Sequence, residues 1–314
     1  MKGGEAGTDV IFAKRLARYL SEAGVLLKPF YMKADTSIRQ LARELGELKR
    51  EIQNFRPHII HPQYCTVSSF LCVLATNLPV VATYRGSDLN PCPSMDWWRW
   101  VTGYLLSQVA AWRAAKIICV SQELKNRLWN GQHKTTVIPT GVDTQAFYPL
   151  PREAARARLG WGLEERVVLF NAGKEPMIKR LDLAQLAVDY AQTICGPIRF
   201  VVLNYQIEPD EIPTLMNASN CLLLTSDWEG SPTVVQEALA CNLPVVTVEV
   251  GDVREVLNCD RVSRIVARDP GELGRAVAEI CTRGQRSNGD EVVKKLSLEA
   301  IAARTVSVYR EIMG

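Results

Sequence analysis

The chain has 314 residues, 47 % apolar and 23 % charged, a length and balance that suit two α/β domains of roughly 150 residues each rather than one small core. A formal net charge of +3 over that length gives no electrostatic reason to expect nucleic acid as a partner, and leaves only a weak preference for anionic ligands or an acidic membrane face. Asn77 and Pro79 interrupt the greasiest stretch, Phe70 to Tyr84, so it cannot supply the roughly 20 apolar residues of a membrane-spanning helix.

Val10, Phe12, Leu16, Leu20 and Ala23 recur at helical spacing, and Gly24 supplies a stop. The next segment, VLLKPFYM, reads as a strand. A second helix is predicted from Ser37 to Phe55, with Leu41, Leu45, Leu48 and Ile52 on one face. HIIH reads as a very short buried strand, residues 68–75 as a helix, and LPVVATY as a strand ending at Arg85-Gly86-Ser87-Asp88. A long helix is predicted from Asp96 to Ala115. Its Trp97, Trp98, Trp100 and Trp112, with Tyr104, Leu105 and Leu106, read first as core packing; an acceptor-binding surface near a membrane is the alternative. KIICVS is a strand, Ser121 opens a helix, and TTVIPTG closes the half as a strand and turn.

Pro149, Leu150 and Pro151 mark the expected boundary. We therefore place a first domain at 1–148, a second at 149–298, and a terminal helix at 299–314 that crosses back to the first. After the boundary the same grammar restarts. ERVVLFNAG, IRFVVLN, NCLLLTS and LPVVTVEV are strands, separated by helical LDLAQLAVDYAQ, EIPTLMNA and PTVVQEALAC. Apolar strands without a polar face, alternating with helices, define an α/β fold with doubly wound parallel sheets covered on both sides. In such sheets ligands bind outside the carboxyl ends of the strands, where each candidate site falls.

The sharpest segment runs from Asp227 to Val253. NCLLLTS ends, the chain turns through Asp227-Trp228-Glu229-Gly230, and a helix is expected to open with Ser231 as cap and Pro232 in its first turn. The free amides of Thr233 and Val234 would suit a phosphate or a sugar hydroxyl. Glu229 and Glu237, eight residues apart, can accept hydrogen bonds from hydroxyls on one elongated ligand, or can simply be solvated carboxylates. Upstream, Gly173-Lys174 follows a strand and Lys179 lies five residues on; these cations can neutralise phosphate oxygens.

Together, Glu229-Gly230-Ser231-Pro232, Glu237-Ala238, Asn242-Leu243-Pro244 and Gly251-Asp252-Val253 resemble the hallmark of the family 4 retaining glycosyltransferases, which have the GT-B fold of two Rossmann-like domains facing across a cleft. The resemblance implies transfer of a hexosyl unit from a UDP- or GDP-sugar to a hydroxyl with retained configuration. It implies that Glu237 binds the nucleotide ribose, Glu229 the donor sugar, and Gly230, Ser231 and the amides as far as Val234 the sugar and diphosphate. Lys174 and Lys179 would hold the diphosphate beside Gly173. Gly3 and Gly4 resemble the family's glycine-rich loop, here without the strand that normally precedes it, which leaves the first domain lacking its first strand. TYRGSDLN resembles the family's histidine-bearing turn, with Arg85 in the histidine place. His61 matches a common first-domain histidine, and Asp88 is a further polar candidate. Arginine cannot serve as a base at neutral pH.

Nine cysteines include no close CxxC pair and only His58, His61 and His133 accompany them, so neither structural zinc nor a disulfide framework is expected, and the reducing cytoplasm is the expected compartment. Met1-Lys2-Gly3-Gly4 leads into polar residues, unlike a signal peptide. No DxD motif is present, and the family route, in which the departing diphosphate takes the acceptor's proton, requires neither metal nor cofactor beyond the nucleotide-sugar substrate. The acceptor is open, with a saccharide or lipid-linked hydroxyl and peripheral membrane contact as expectations. A nucleotide-sugar epimerase of GT-B architecture and a catalytically impaired sugar-binding protein are the alternatives.

Overall fold

The computed structural model describes residues 11–33, 37–91, 95–173, 176–204 and 206–314. The chain divides into two compact units, one made of residues 1–140 and 298–314 and the other of residues 141–297. The division precedes the proline-rich Pro149 segment, because Val142 and Phe147 are buried in the core of the second unit.

In the first unit α1 (Ile11–Glu22), α2 (Ile38–Phe55) and α3 (Val67–Ala75) precede β1 (Val81–Tyr84). α4 (Trp97–Arg113), β2 (Lys116–Cys119), α5 (Gln122–Asn126) and β3 (Thr135–Val137) follow. The strands are parallel in the order β1-β2-β3. Side chains alternate across the sheet. Val81 and Ile118 pack with Leu16, Tyr19 and Leu20 on one face, while Ala82, Tyr84, Ile117 and Cys119 pack with Ala111, Leu124 and Leu128 on the other. Ser37 and Ser121 cap α2 and α5, accepting from the amides of Gln40 and Leu124.

Two strand expectations in this unit change. Residues 25–32 form no strand: Met32 carries a lone bridge, and Val25, Leu27 and Phe30 pack their side chains without a hydrogen-bonded ladder. HIIH contributes only a single bridge, Ile60 to Val80. The local apolar content that suggested strands is used in side-chain packing instead.

The second unit contains α6 (Arg152–Leu159), β4 (Arg166–Asn171), α7 (Pro176–Lys179), α8 (Leu181–Cys195), β5 (Ile198–Leu203), α9 (Ile212–Ala218) and β6 (Cys221–Leu224). Then come α10 (Thr233–Ala240), β7 (Val245–Val248), α11 (Val253–Leu257), β8 (Arg264–Val266), α12 (Pro270–Arg283) and α13 (Gly289–Val292). Its five parallel strands have the order β5-β4-β6-β7-β8. β4 and β6 are buried through almost their whole length, from Val167 to Phe170 and Cys221 to Leu224. Burying each Leu or Phe contributes about 1.5–3 kcal/mol, which makes this sheet a rigid platform for what its ends carry.

Successive connections from β4 run to opposite sides, to β5 by one route and, after β5, to β6 by the other. This places a topological switch point between the carboxyl ends of β4 and β6. The last helix, α14 (Leu298–Met313), returns to the first unit, where Leu298, Ile301, Ala302, Val308 and Tyr309 join the α1 face of the sheet.

Candidate active site

At the switch point the loops after β4 and β6 bring together residues fifty positions apart. Lys179 Nζ donates to Glu229 Oε1 at 2.5 Å, and Ser226 Oγ donates to the same oxygen at 2.7 Å. Lys179 and Glu229 side chains are 22 % and 12 % exposed, so the pair is reachable but sheltered enough for its charges to matter. The Thr225 hydroxyl donates to the carbonyls of Lys179 and Arg180, tying the β6 loop to the end of α7. Gly173 belongs to the same group: a Cβ there would lie 3.9 Å from Lys179 Cε, and its amide donates to Asn171 Oδ1 at 3.0 Å. Arg180 is engaged elsewhere, with Asp182 and Asp227.

Gly251, in the turn three residues after β7, closes on the Glu229 turn. Its φ of +58° and a Cβ position 2.8 Å from the Gly230 carbonyl oxygen and 3.2 Å from Glu229 Cβ leave room only for glycine. Next to it Asp252 is 5 % exposed and accepts from Ser231 Oγ at 2.6 Å; Gln236 Nε2 in turn donates to Ser231 Oγ at 2.7 Å. Burial pushes the Asp252 carboxyl up to about 7, opposed by the Ser231 hydrogen bond and assisted by Glu255 and Glu229. Among the described residues, Asp252 Oδ1 and Gln236 Oε1 are buried without a partner, and an ionised Asp252 would leave its Oδ1 charge uncompensated.

This network corrects one expectation. Ser231 does not cap the following helix: α10 begins at Thr233 with Pro232 in the cap position and no side-chain cap, and the Ser231 hydroxyl instead accepts from Gln236 and donates to Asp252. The amides of Thr233 and Val234 lie in the first turn, where helix geometry provides no internal acceptor. Glu237 is half-buried on α10 and has interactions of its own. Gly3, Gly4 and Lys174 lie outside the described residues.

In the first unit Arg85 and His61 meet. Arg85 Nη2 donates to Gln63 Oε1 at 2.6 Å, and Gln63 Nε2 donates to His61 Nε2 at 3.0 Å. Thr83 Oγ1 also lies 2.7 Å from His61 Nε2, while His61 Nδ1 lies 2.5 Å from the Tyr309 hydroxyl. Because Gln63 donates to Nε2, the network assigns the proton to Nδ1, which donates to Tyr309. Part of the ring remains accessible, yet the dense protein around it, with Arg85 adding its charge, lowers the His61 pKa to about 3. The imidazole is therefore neutral with both nitrogens occupied.

Arg85 keeps its charge, with its pKa lowered by burial only to about 10, and the Phe12 ring covers the guanidinium at 4.1 Å. Its Nε and Nη1 have no partner among the described residues, and it lines a small cavity of about 10 Å³ with His61, Thr83, Thr140 and Thr305. Asp88 behaves differently. It is buried, and its oxygens accept from the amides of Cys65 at 2.9 Å and Arg85 at 2.5 Å, so it shapes the turn that aims Arg85. Sequence reasoning placed Asp252, Gln236, Gln63 and Tyr309 in no site. Asp252 stood inside the quoted motif, but its partner Ser231 is 21 positions away.

A parallel sheet with helical crossovers and a lysine–carboxylate pair at its switch point defines a doubly wound α/β protein. Residues 8–146 match the model for Glycosyltransferase Family 4, and residues 152–283 match that for Glycosyl transferases group 1. The chain belongs to this family of GT-B glycosyltransferases. It is similar to an uncharacterised glycosyltransferase of Methanocaldococcus jannaschii, 25 % identical over 276 residues that cover 81 % of this chain and 75 % of the relative. Sulfoquinovosyl transferase SQD2 of Arabidopsis thaliana is 22 % identical over 86 % of this chain and 58 % of its own. Among solved structures, sucrose-phosphate synthase of Thermosynechococcus elongatus has a TM-score of 0.74 at 20 % identity, covering 98 % of this chain and 94 % of that one. HepE of Anabaena, solved with UDP and glucose, has a TM-score of 0.75 at 16 % identity, covering 99 % of this chain and 98 % of that one. Among the described residues, no helix is long and apolar enough to cross a membrane.

Proposed function

We propose that this glycosyltransferase moves a hexosyl unit from a UDP- or GDP-sugar to a hydroxyl of a saccharide or lipid-linked acceptor, in the cytoplasm and with retention at the anomeric carbon. The observation that carries the reading is the Lys179–Glu229 pair at the switch point of the second sheet. Without ligand the two charges satisfy each other. An incoming diphosphate competes for Lys179, and the freed carboxylate accepts hydrogen bonds from sugar hydroxyls. Lys174 adds a second cation beside Gly173, the amides of Thr233 and Val234 bind phosphate or sugar oxygens, and Glu237 holds the ribose.

In the step itself the acceptor oxygen forms its bond to the anomeric carbon on the face from which the diphosphate leaves. The sugar–phosphate C–O bond breaks with its electron pair on the diphosphate, and a diphosphate oxygen takes the acceptor's proton. Negative charge grows on the leaving group, so Lys179 stabilises the transition state more than the ground state. No protein base is required, consistent with a neutral His61 and a charged Arg85. Arg85, whose Nε and Nη1 have no partner among the described residues, contacts a substrate hydroxyl or an anionic group, and His61 supports it through Gln63. We further propose that no metal takes part.

A thermal-shift screen of UDP-, GDP- and ADP-sugars, followed by product analysis over an acceptor panel, tests this reading. It expects stabilisation by one nucleotide-sugar class and an acceptor-dependent product of the donor's own anomeric configuration. Conversion of the donor without an acceptor would replace transfer by epimerisation, and donor binding without turnover would leave a sugar-binding protein.

A further inference from the structure

The sequence reading of the tryptophans as core packing holds for Trp100, which stacks on Tyr104 and donates to the Asn90 carbonyl, but not for Trp97, Trp98 and Trp112. Trp98, Leu105, Val109 and Trp112 of α4 are 57 %, 46 %, 42 % and 65 % exposed. At 3.6 residues per turn they fall within a sector of about 60° and form a stripe about 21 Å long. The opposite face of α4, by contrast, is buried and built from the small residues Ser107, Ala110 and Ala111, with the buried Gln108 at the edge of the stripe.

Hydrogen bonds lock that orientation. Ser107 Oγ donates to the Asp88 carbonyl at 3.1 Å, and the Tyr84 hydroxyl donates to the Ser107 carbonyl at 2.6 Å. Gln108 donates to the Arg127 carbonyl at 3.2 Å and accepts from the Trp129 amide at 3.0 Å. Rotating the helix to bury its indoles would strand all of these groups, each at a cost of about 1–3 kcal/mol. The outward apolar stripe is therefore dictated by the packing, and an exposed apolar patch of this kind marks a binding surface.

Charge selects the occupant. The sequence between Arg99 and Arg113 holds no charged residue, and α3, packed beside α4, holds none either. Cations thus bracket the stripe, with Arg99 lying 5.9 Å from the Trp98 ring; no acid stands within the helix, and Asp96 at its N-cap is the nearest in sequence. A second copy of the chain pairing this stripe antiparallel would bring Arg99 against Arg113. An anionic bilayer instead offers phosphates to both arginines and an acyl boundary to the rings between them, and tryptophan favours that interface.

We propose that α4 docks this chain on anionic membrane surfaces, with Trp98, Leu105, Val109 and Trp112 at the acyl boundary and Arg99 and Arg113 on lipid phosphates. The proposal stands apart from the sugar-transfer reading, and binding is measured without donor or acceptor. Full-length chain is sedimented with phosphatidylcholine–phosphatidylglycerol vesicles and with pure phosphatidylcholine vesicles, alongside sizing by light scattering. Binding should be about tenfold weaker on the neutral vesicles. Trp98→Ser/Trp112→Ser should bind the anionic vesicles at least about tenfold more weakly, with an unchanged circular dichroism spectrum. Arg99→Gln/Arg113→Gln should lose the preference for anionic lipid while keeping residual binding. Equal binding by wild type and the Trp98/Trp112 variant would overturn the proposal. So would a wild-type chain that ignores vesicles, whether it elutes as a monomer or as a dimer that the serine variant dissociates.

Discussion

Replacing Asp252 by asparagine should alter stability in a way that depends on pH. The raised folded-state value means that the native fold holds the Asp252 proton more tightly than the unfolded chain does. From the ordinary 3.8 to about 7 is roughly three units, and at about 1.36 kcal/mol per unit the ionised carboxylate costs the fold on the order of 4 kcal/mol. Below about pH 4 both states are protonated and there is no cost. Between about 4 and 7 the unfolded chain ionises first, so native stability falls as pH rises; above about 7 the loss is complete. Asparagine keeps an oxygen for the Ser231 hydroxyl and cannot ionise. Urea unfolding of both proteins at acid, neutral and mildly alkaline pH should therefore give a difference near zero at low pH, growing in favour of Asp252→Asn towards pH 8. Glu229→Gln removes one of the charges that raise Asp252 and should reduce the pH dependence. A difference between Asp252→Asn and wild type that stays constant across pH would refute the buried, proton-holding carboxyl.

Lys179→Ala should lower the transfer rate by about a hundredfold while nucleoside binding changes little. Equal losses of affinity for nucleoside and nucleoside diphosphate would count against a diphosphate contact. Glu237→Ala should weaken nucleotide-sugar affinity about tenfold or more in calorimetry, as expected for a hydrogen bond to a charged group; unchanged affinity would remove its ribose role. Gly251→Ala meets the Gly230 carbonyl at a positive φ and should cost about 1–3 kcal/mol in thermal unfolding while lowering transfer. Wild-type stability would mean that the turn can shift. Transfer should persist after dialysis against a strong chelator, and a loss restored by added divalent cation would replace the metal-free route.

Strand-helix alternation and the carboxylate-rich turn were legible because both are local. Phe170 and Leu223 announce buried strands by their neighbours in sequence, and Asp227-Trp228-Glu229-Gly230 announces a turn by following one. What escaped was any contact that closes over distance, such as Lys179 with Glu229 or Ser231 with Asp252, whose partners are chosen by sheet order. The α4 indoles show a second limit. Helical spacing tells which residues share a side, but only the bonds of Ser107 and Gln108 decide which side faces inward. VLLKPFYM failed similarly, since apolar content describes side chains and a strand also requires a neighbouring backbone.

Because α14 completes the α1 face of the first unit, the second unit is an insertion in topological terms. A stop codon at Leu298 would strip the α14 contacts from Leu16, Tyr19, Leu20, Val81 and Ile118. Residues 141–297 would meanwhile keep their own core contiguous. Such a truncation strikes the unit whose other residues lie most distant from it in sequence, so α14 must be synthesised before the half made first can finish folding.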